Sequence, residues 1–366
     1  MPQALAERLR QTIERMGPMT FRDWMHASLY DPQFGYYCRR DIQRWGRAGD
    51  YRTSPDRTPL FAATFTRYFV ELYQNLDAPG SWRIVEMGAG NGAFSQQVLT
   101  TLREQFPDVF AATEYVIVEI GSHDLSQILD SFGNVSVARL EDMSTPVPGL
   151  IFSNELLDAF PVHRVIWTNG VLQEMYVSVT GGGEFEWTTG PLSTPALSEY
   201  FDSVNVHLSR EGQIAEVNLD VTEWLSRSAR LLSNGYIITV DYGDEASGLF
   251  STNRHDGTLR AFRRHRFQEV LENPGDSDIT STVDWTNVRN RGERLGLEIE
   301  AFERLDKFLL QAGLLEQLES MTERAETEAE RAALRASARE MILPTAMAGS
   351  FQVLVQRKGE SRTTGT

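Results

Sequence analysis

Three clusters of residues in this 366-residue chain have the types and spacing for chemistry. In RIVEMGAGNGAF, Arg83 to Phe94, an apolar run ends in Glu86 and glycines follow at alternate positions, Gly88, Gly90 and Gly92. Ile84-Val85 reads as a short buried strand, and Ala93 to Leu102 has helical spacing. A strand that turns straight into a helix across glycines brings bare backbone against a ligand, with the helix N-terminus behind it. A plain tight connection is the alternative. A dinucleotide fingerprint reads G-x-G-x-x-G, whereas E-x-G-x-G-x-G lacks the stretched second gap that accommodates a pyrophosphate. Glu119 closes the next apolar run, VIVEI, where an acid can accept two hydrogen bonds from ribose hydroxyls or simply be solvated. Its distance from the glycines exceeds the ~20 residues of the dinucleotide motif, so the intervening helix must be extended. In LIFSNELLDAFPVHRV, Asn154, Glu155 and Asp158 follow a fourth apolar run. Glu155 and Asp158, three apart, share a face if the segment is helical. Such a pair can hold a cation, or one member can take a proton; acids decorating a helix N-terminus are the alternative.

The elements that must position these residues alternate along the chain. Strands are predicted at 83–87, 115–119, 134–138 and 149–153, with helices at 93–105 and 123–131, the rhythm of a doubly wound parallel sheet. Helices at 3–16 and 19–29 precede them, separated by Pro18-Met19-Thr20 with Thr20 as N-cap, and a third runs from Leu60 to Leu76. Between them lies LYDPQFGYYCRRDIQRWGRAGDYRTSP, aromatic and irregular, which reads as a functional loop. A hairpin is predicted from 162–168 and 171–179 about Asn169-Gly170. A helix at 219–233 leads into the strand 236–242. Residues 244–282 read as polar and irregular, with a basic aromatic patch from Arg260 to Phe267. A helix at 284–295, a strand at 297–303, charged helices over 306–342 and a last strand at 350–358 complete seven core strands. The expected division is 1–59, N-terminal helices and lid; 60–243, α/β core with a hairpin insertion; 244–358, substrate-side loop, helical cap and final strands; and 359–366, a disordered tail.

Bulk properties bound the partners. Hydrophobic content of 41% and charged content of 23% are ordinary for a globular protein, and the formal net charge is -16. That field repels nucleic-acid backbones and anionic membranes, so neither is expected as a partner. Cys38 is the one cysteine, which leaves no intrachain disulfide and no cysteine-based zinc site, and no metal is expected. No run approaches the ~18 apolar residues that span a bilayer, and no signal pattern opens the chain. A cytoplasmic location is the expectation.

The glycine turn with an acid at the strand end resembles motif I of class I S-adenosylmethionine (SAM) methyltransferases. Further along, LYDPQFGYY (29–37), GDYRTSP (49–55), VEMGAGNG (85–92), SNELLDAFPVHR (153–164), TVDYG (239–243) and GSFQVLVQRK (349–358) occur in order. Together they resemble the MidA-type SAM-dependent methyltransferases over roughly residues 20–358. This resemblance implies an α/β fold with the Rossmann-like seven-stranded sheet of class I methyltransferases, helical lid and cap insertions, and SAM as cofactor. It implies that Gly88, Gly90 and Gly92 form the cofactor turn, with Glu86 beneath it and Glu119 on the ribose. Either Glu141 or Asp142, after the third strand, would meet the adenine. Asp50, Thr53 and Ser54 would contact the methionine end, and Asn154, Glu155 and Asp158 would face the transferring methyl and the substrate. Arg260, Arg263 and His265 are polar candidates in the basic patch.

The family includes a mitochondrial complex I assembly factor that methylates a protein arginine, so methylation of an arginine on a protein partner is the leading expectation. Two alternatives stand beside it. One is a small-molecule O- or N-methyltransferase with Tyr30, Phe34, Tyr36, Tyr37 and Trp45 lining the pocket. The other is a SAM-binding assembly chaperone without turnover. The helices of 306–342 either cover the active site or form a homodimer surface.

Overall fold

The helix Ala93–Gln105 begins where the alternate glycines end, and its apolar side, Phe94, Val98, Leu99 and Leu102, is buried. What it buries against is a sheet whose strands are apolar on both faces, as a covered parallel sheet requires. The structure, a computed structural model, describes residues 2–42, 44, 59–121, 123–263, 266–343 and 347–359. Asp50, Thr53, Ser54, Trp45, His265 and residues 360–366 of the expected tail lie outside the described residues.

The chain divides into two compact units, each drawn from three stretches. The sheet unit comprises Arg52–Leu156, Leu225–Tyr242 and Gly292–Thr366; the hairpin unit comprises Met1–Tyr51, Leu157–Trp224 and Gly243–Arg291. The α/β core is therefore not continuous from 60 to 243: the chain leaves it after the fourth core strand, returns for the fifth, and leaves again.

Among the described residues the main sheet has eight strands: β1 (Trp82–Met87), β2 (Thr113–Val118), β3 (Val135–Ala138), β4 (Val147–Asn154), β5 (Leu232–Asp244), β6 (Leu297–Arg304) and β7 (Phe351–Lys358) form its path, and the two-residue Val283–Asp284 pairs with the end of β5. Their order is 3-2-1-4-5-7-6. The pairs from β3 through β5 are parallel, while β7 runs antiparallel to both β5 and β6. The order reverses between β1 and β4, the point at which open α/β sheets bind ligands beyond their carboxyl ends. Register levels those ends: Met87 pairs with Val118 on one side and Ser153 on the other, and Ser153 pairs with Thr239. The residues that follow each strand thus emerge side by side.

The core of this unit is aromatic. Phe94 stacks on Phe152 of β4 with centroids 4.5 Å apart and an 8° interplanar angle, and Phe65 and Phe69 of helix Pro59–Asn75 pack edge-on against Phe152. Each such ring pair contributes about 0.5–1.5 kcal/mol beyond its burial, which fixes the helix behind the glycine turn onto the sheet. The extension required before β2 is present as a second helix, Pro107–Ala112, begun by its own proline. The predicted charged helical region resolves into Leu305–Gln311, Leu314–Arg324 and Glu328–Ile342, the last opened by a Thr327/Glu330 capping box.

The hairpin unit holds a sheet ordered Met19–Thr20, Val171–Val179, His163–Thr168 and Gln213–Val217, with Phe185–Gly190 paired to Val171–Val179. Asn169 and Gly170 take φ of 52° and 73°, the left-handed pair that a two-residue hairpin turn demands. Thr20 caps Phe21–Tyr30, accepting from the Asp23 N–H at 3.2 Å. Residues 244–282, expected to be irregular, contain a helix at Ala246–Leu249 and a three-stranded sheet of Arg266–Gln268, Arg260–Arg263 and Asp278–Thr280. Their strands are three or four residues long, too short to show alternation in the sequence.

Candidate active site

Gly88, Gly90 and Gly92 have φ of 73°, 57° and 77°, all in the left-handed region where a side chain is strained. A Cβ on Gly88 would stand 3.0 Å from Leu156 Cδ1, and one on Gly92 2.4 Å from Ile128 Cδ1. The turn is tied at both ends: the Gly88 N–H donates to the Val118 carbonyl and the Gly92 N–H to the Ala89 carbonyl, each at 2.9 Å.

Glu86 lies beneath this turn and is 4% exposed. Its Oε2 accepts from the Tyr115 hydroxyl at 2.6 Å and from the Ser95 hydroxyl, so it joins β1, β2 and the following helix. Burial pushes its pKa up to about 7 against the downward pull of those two bonds. The carboxyl supports the turn from below.

Glu119, directly after β2, reaches back over the turn. Its Oε2 accepts from the Gly90 N–H at 2.7 Å and its Oε1 from the Gly121 N–H at 2.6 Å. A carboxylate has about four acceptor positions, so two backbone bonds orient it while leaving capacity for hydroxyl donors. Glu141 and Asp142 lie on the short 3-10 helix Leu140–Asp142 after β3. Glu141 stands 3.8 Å from Arg227 in a solvent-exposed pair, a bond worth little in water.

At the end of β4 the expectation needs correction. Residues 155–158 are not helical, so Glu155 and Asp158 do not share a helix face. Glu155 instead adopts φ of 51°, and its N–H donates to the Val240 carbonyl at 2.9 Å, extending the pairing with β5. The Asn154 amide donates to Glu155 Oε1 at 3.2 Å, while Asn154 Oδ1 is buried without a partner among the described residues. Asp158 belongs to the hairpin unit, where it is buried and its carbonyl accepts from the Ser281 N–H at 2.8 Å. Arg260 and Arg263 are in the same unit, on a strand of the three-stranded sheet.

The sequence reading overlooked Asp241. It is fully buried near the end of β5, and its Oδ2 accepts from the Leu156 N–H at 3.2 Å. An acid at the end of a strand otherwise made of YIITV was the available signal.

Within the sheet unit these residues form one set: bare left-handed glycines, the carboxylates of Glu119, Glu155 and Asp241, and the orphaned Asn154 oxygen. The set consists of acceptors and backbone. It suits a ligand carrying ribose hydroxyls, an ammonium and a sulfonium, and it would repel a pyrophosphate. Residues 64–302 match the family described as "Putative S-adenosyl-L-methionine-dependent methyltransferase".

The chain belongs to this methyltransferase family. It is similar to the mitochondrial protein arginine methyltransferase NDUFAF7 homolog of Drosophila melanogaster, 27% identical over 323 residues, 80% of this chain and 71% of that protein. The Caenorhabditis elegans homolog of the same name is 25% identical over 303 residues, 75% of this chain and 68% of that one. Among solved structures, a protein from Burkholderia thailandensis bound to S-adenosyl-homocysteine aligns with a TM-score of 0.84 at 25% identity. The alignment covers 98% of this chain and 93% of that one. This methyltransferase is therefore an enzyme of the SAM-dependent class, with the α/β fold of that class and SAM as cofactor. In it, the Gly88–Gly92 turn presents bare left-handed backbone, and Glu119 accepts from the Gly90 and Gly121 N–H groups beside it.

Proposed function

We propose that this methyltransferase acts on an arginine side chain of a protein partner. The observation that carries the reading is the pair of side-chain acceptors at the end of β4. Among the described residues Asn154 Oδ1 is buried and unpaired, the Glu155 carboxylate adjoins it, and Glu155 is held in a left-handed backbone conformation. A guanidinium is the side chain with five N–H donors and no acceptor, so it can bond to both the Asn154 oxygen and the Glu155 carboxylate at once. The two relatives described above are named protein arginine methyltransferases, which supports the same choice. Of the aromatic side chains that a small-molecule pocket would need, one is wholly taken up by the core and three are partly buried against it. Tyr36 is fully buried in the core of the hairpin unit, with Tyr30, Phe34 and Tyr37 against it.

When bound, SAM supplies an electrophilic methyl on a sulfonium. The chain's own groups then have three tasks. Asn154 and Glu155 orient the guanidinium so that one nitrogen lies in line with the methyl. As that nitrogen bonds to carbon, the carbon–sulfur bond breaks, the sulfonium charge is lost and the nitrogen sheds one proton. Arginine's free pKa lies above ~12, so proton loss accompanies attack, and Glu155 is the carboxylate placed to hold the cation and pass the proton to water.

The test incubates the enzyme and methyl-labelled SAM with cell lysate. Label in a protein band, recovered as methylarginine after acid hydrolysis, is the expected result. Label confined to the small-molecule fraction would refute it, and SAM binding with no label anywhere would make the chain a non-catalytic assembly factor.

A further inference from the structure

The stretch from Arg260 to Gln268 holds four arginines, one histidine and no acid, in a chain of net charge -16. In the hairpin unit its described residues form two antiparallel strands, with Phe262 opposite Phe267 and Arg263 opposite Arg266. Like charges directly opposite each other destabilise a ribbon. Arg263 is offset by Asp276 at 3.3 Å. Arg260 and Arg266 are exposed, and neither has an acidic partner among the described residues. Phe267 is 71% exposed, its ring centroid 4.6 Å from that of Phe262. The fold gains little from this arrangement: an exposed ring buries almost nothing, and two unpaired guanidiniums repel.

The ribbon is nonetheless firmly held. Its strand Arg260–Arg263 also pairs with Asp278–Thr280, and Ala261 and Ile279 enter the unit's core. The Tyr37 hydroxyl donates to Asp278 at 2.6 Å, and Ser281, next along the chain, donates to the Asp158 carbonyl. Arginine and exposed aromatic side chains on a braced element are what protein interfaces use as anchors, and rigidity lowers the cost of binding.

We infer that this ribbon docks an acidic segment of the protein substrate: Arg260, Phe262 and Phe267 share one face of it, which takes a carboxylate and an apolar side chain, while Arg266, on the other face with Arg263, adds to the local positive charge. The inference rests on the protein-substrate reading above and adds what that substrate must carry beside its target arginine. Charge selects the occupant. A nucleic acid or an anionic membrane meets the field of the whole acidic chain. A short peptide segment at the ribbon is screened from charges beyond a Debye length of ~8 Å, so the ribbon's arginines and the neighbouring Asp276 set the field it meets.

The test uses the full chain and fluorescein-labelled peptides having one central arginine and a leucine, flanked by glutamates in one and by glutamines in the other. Anisotropy should show the glutamate peptide binding more tightly, with affinity falling as salt rises. The R260E/R266E variant should lose that preference by roughly tenfold, and F267S should weaken both peptides. S-adenosylhomocysteine affinity should be unchanged in both variants, which shows that they are folded. Equal binding of the two peptides, or an R260E/R266E variant that keeps the preference, overturns the inference. So does an oligouridine or a phosphatidylglycerol vesicle that binds the wild type more tightly than the glutamate peptide and is lost in the variant. Labelled transfer in lysate separates the two readings. Protein methylarginine that is undiminished in the variant sinks the docking surface alone. Charge-dependent peptide binding without any protein methylarginine sinks the arginine reading alone.

Discussion

Replacing Glu86 by Gln tests whether the acid beneath the glycine turn is neutral in the folded enzyme. Burial raises its pKa from 4.5 to about 7, although the Ser95 and Tyr115 hydroxyls both donate to it. At ~1.36 kcal/mol per pH unit, that interval amounts to about 3 kcal/mol. The sign follows from proton counting. Between pH 4.5 and about 7 the folded chain keeps a proton that the unfolded chain has released, so stability falls as pH rises. Below this window the residue carries no penalty, and above it the full loss is present. Gln does not titrate, and its oxygen can accept from both hydroxyls. Any fixed cost of its buried amide is independent of pH. Asp284, whose pKa burial pushes up to about 6, titrates in both proteins and cancels in the difference. Urea unfolding of wild type and Glu86→Gln at a series of pH values should therefore show the variant gaining on the wild type by about 3 kcal/mol from pH 4.5 to above 7. A difference that stays flat across that range would mean that the carboxylate is ionised in the folded state, and the argument from burial would be wrong.

Three other outcomes are expected. Gly90→Val places a β-branched residue at φ of 57°, costing about 1–2 kcal/mol locally, and its branches block the backbone approach. Calorimetry should show no S-adenosylhomocysteine binding, and wild-type affinity would remove the turn from the site. In Glu119→Gln an NH2 must face either the Gly90 or the Gly121 N–H, both now bonded to carboxylate oxygens. Ligand affinity should fall about tenfold to a hundredfold, and an unchanged value would separate Glu119 from the ribose. Glu155→Gln should lower turnover about a hundredfold with S-adenosylhomocysteine affinity within about twofold. Equal losses in both would make Glu155 a structural residue.

Local spacing made much of this fold legible. The helix Ala93–Gln105 and the turn at Asn169-Gly170 were specified by residues within a few positions of each other: apolar periodicity in the first, the demand for two positive φ values in the second. The acids at strand ends were legible for a similar reason, because a parallel strand must finish at the ligand side of its sheet. Whether residues 155–158 form a helix stayed open in the sequence because their composition fits a helix N-terminus, whereas the chain kinks at Glu155, whose N–H bonds to the Val240 carbonyl. No local pattern shows a partner that far along the chain. The three-stranded sheet around Arg260 was missed for want of length, its strands being stabilised by Ala261 and Ile279 entering a core made elsewhere.

Asp241 was overlooked although an acid at a strand end was the available signal, and its position explains the strain at Glu155. A non-glycine residue in the left-handed region costs about 1–2 kcal/mol, part of which must be offset. The offset comes from 85 residues away, where the buried Asp241 carboxylate accepts the Leu156 N–H. Such a bond contributes about 0.5–1.5 kcal/mol net, and with the Glu155 N–H bond to the Val240 carbonyl it holds the kink. Once held, the kink turns Leu156 toward the glycine turn, so that a methyl on Gly88 would stand 3.0 Å from Leu156 Cδ1. The absence of a side chain at Gly88 and the strain at Glu155 are thus two halves of one arrangement. Glycine leaves room for Leu156, and Leu156 in turn limits the space above the turn. On this argument Asp241 is a positioning residue: it acts through the chain at Leu156, and it sets where the Glu155 carboxylate can stand.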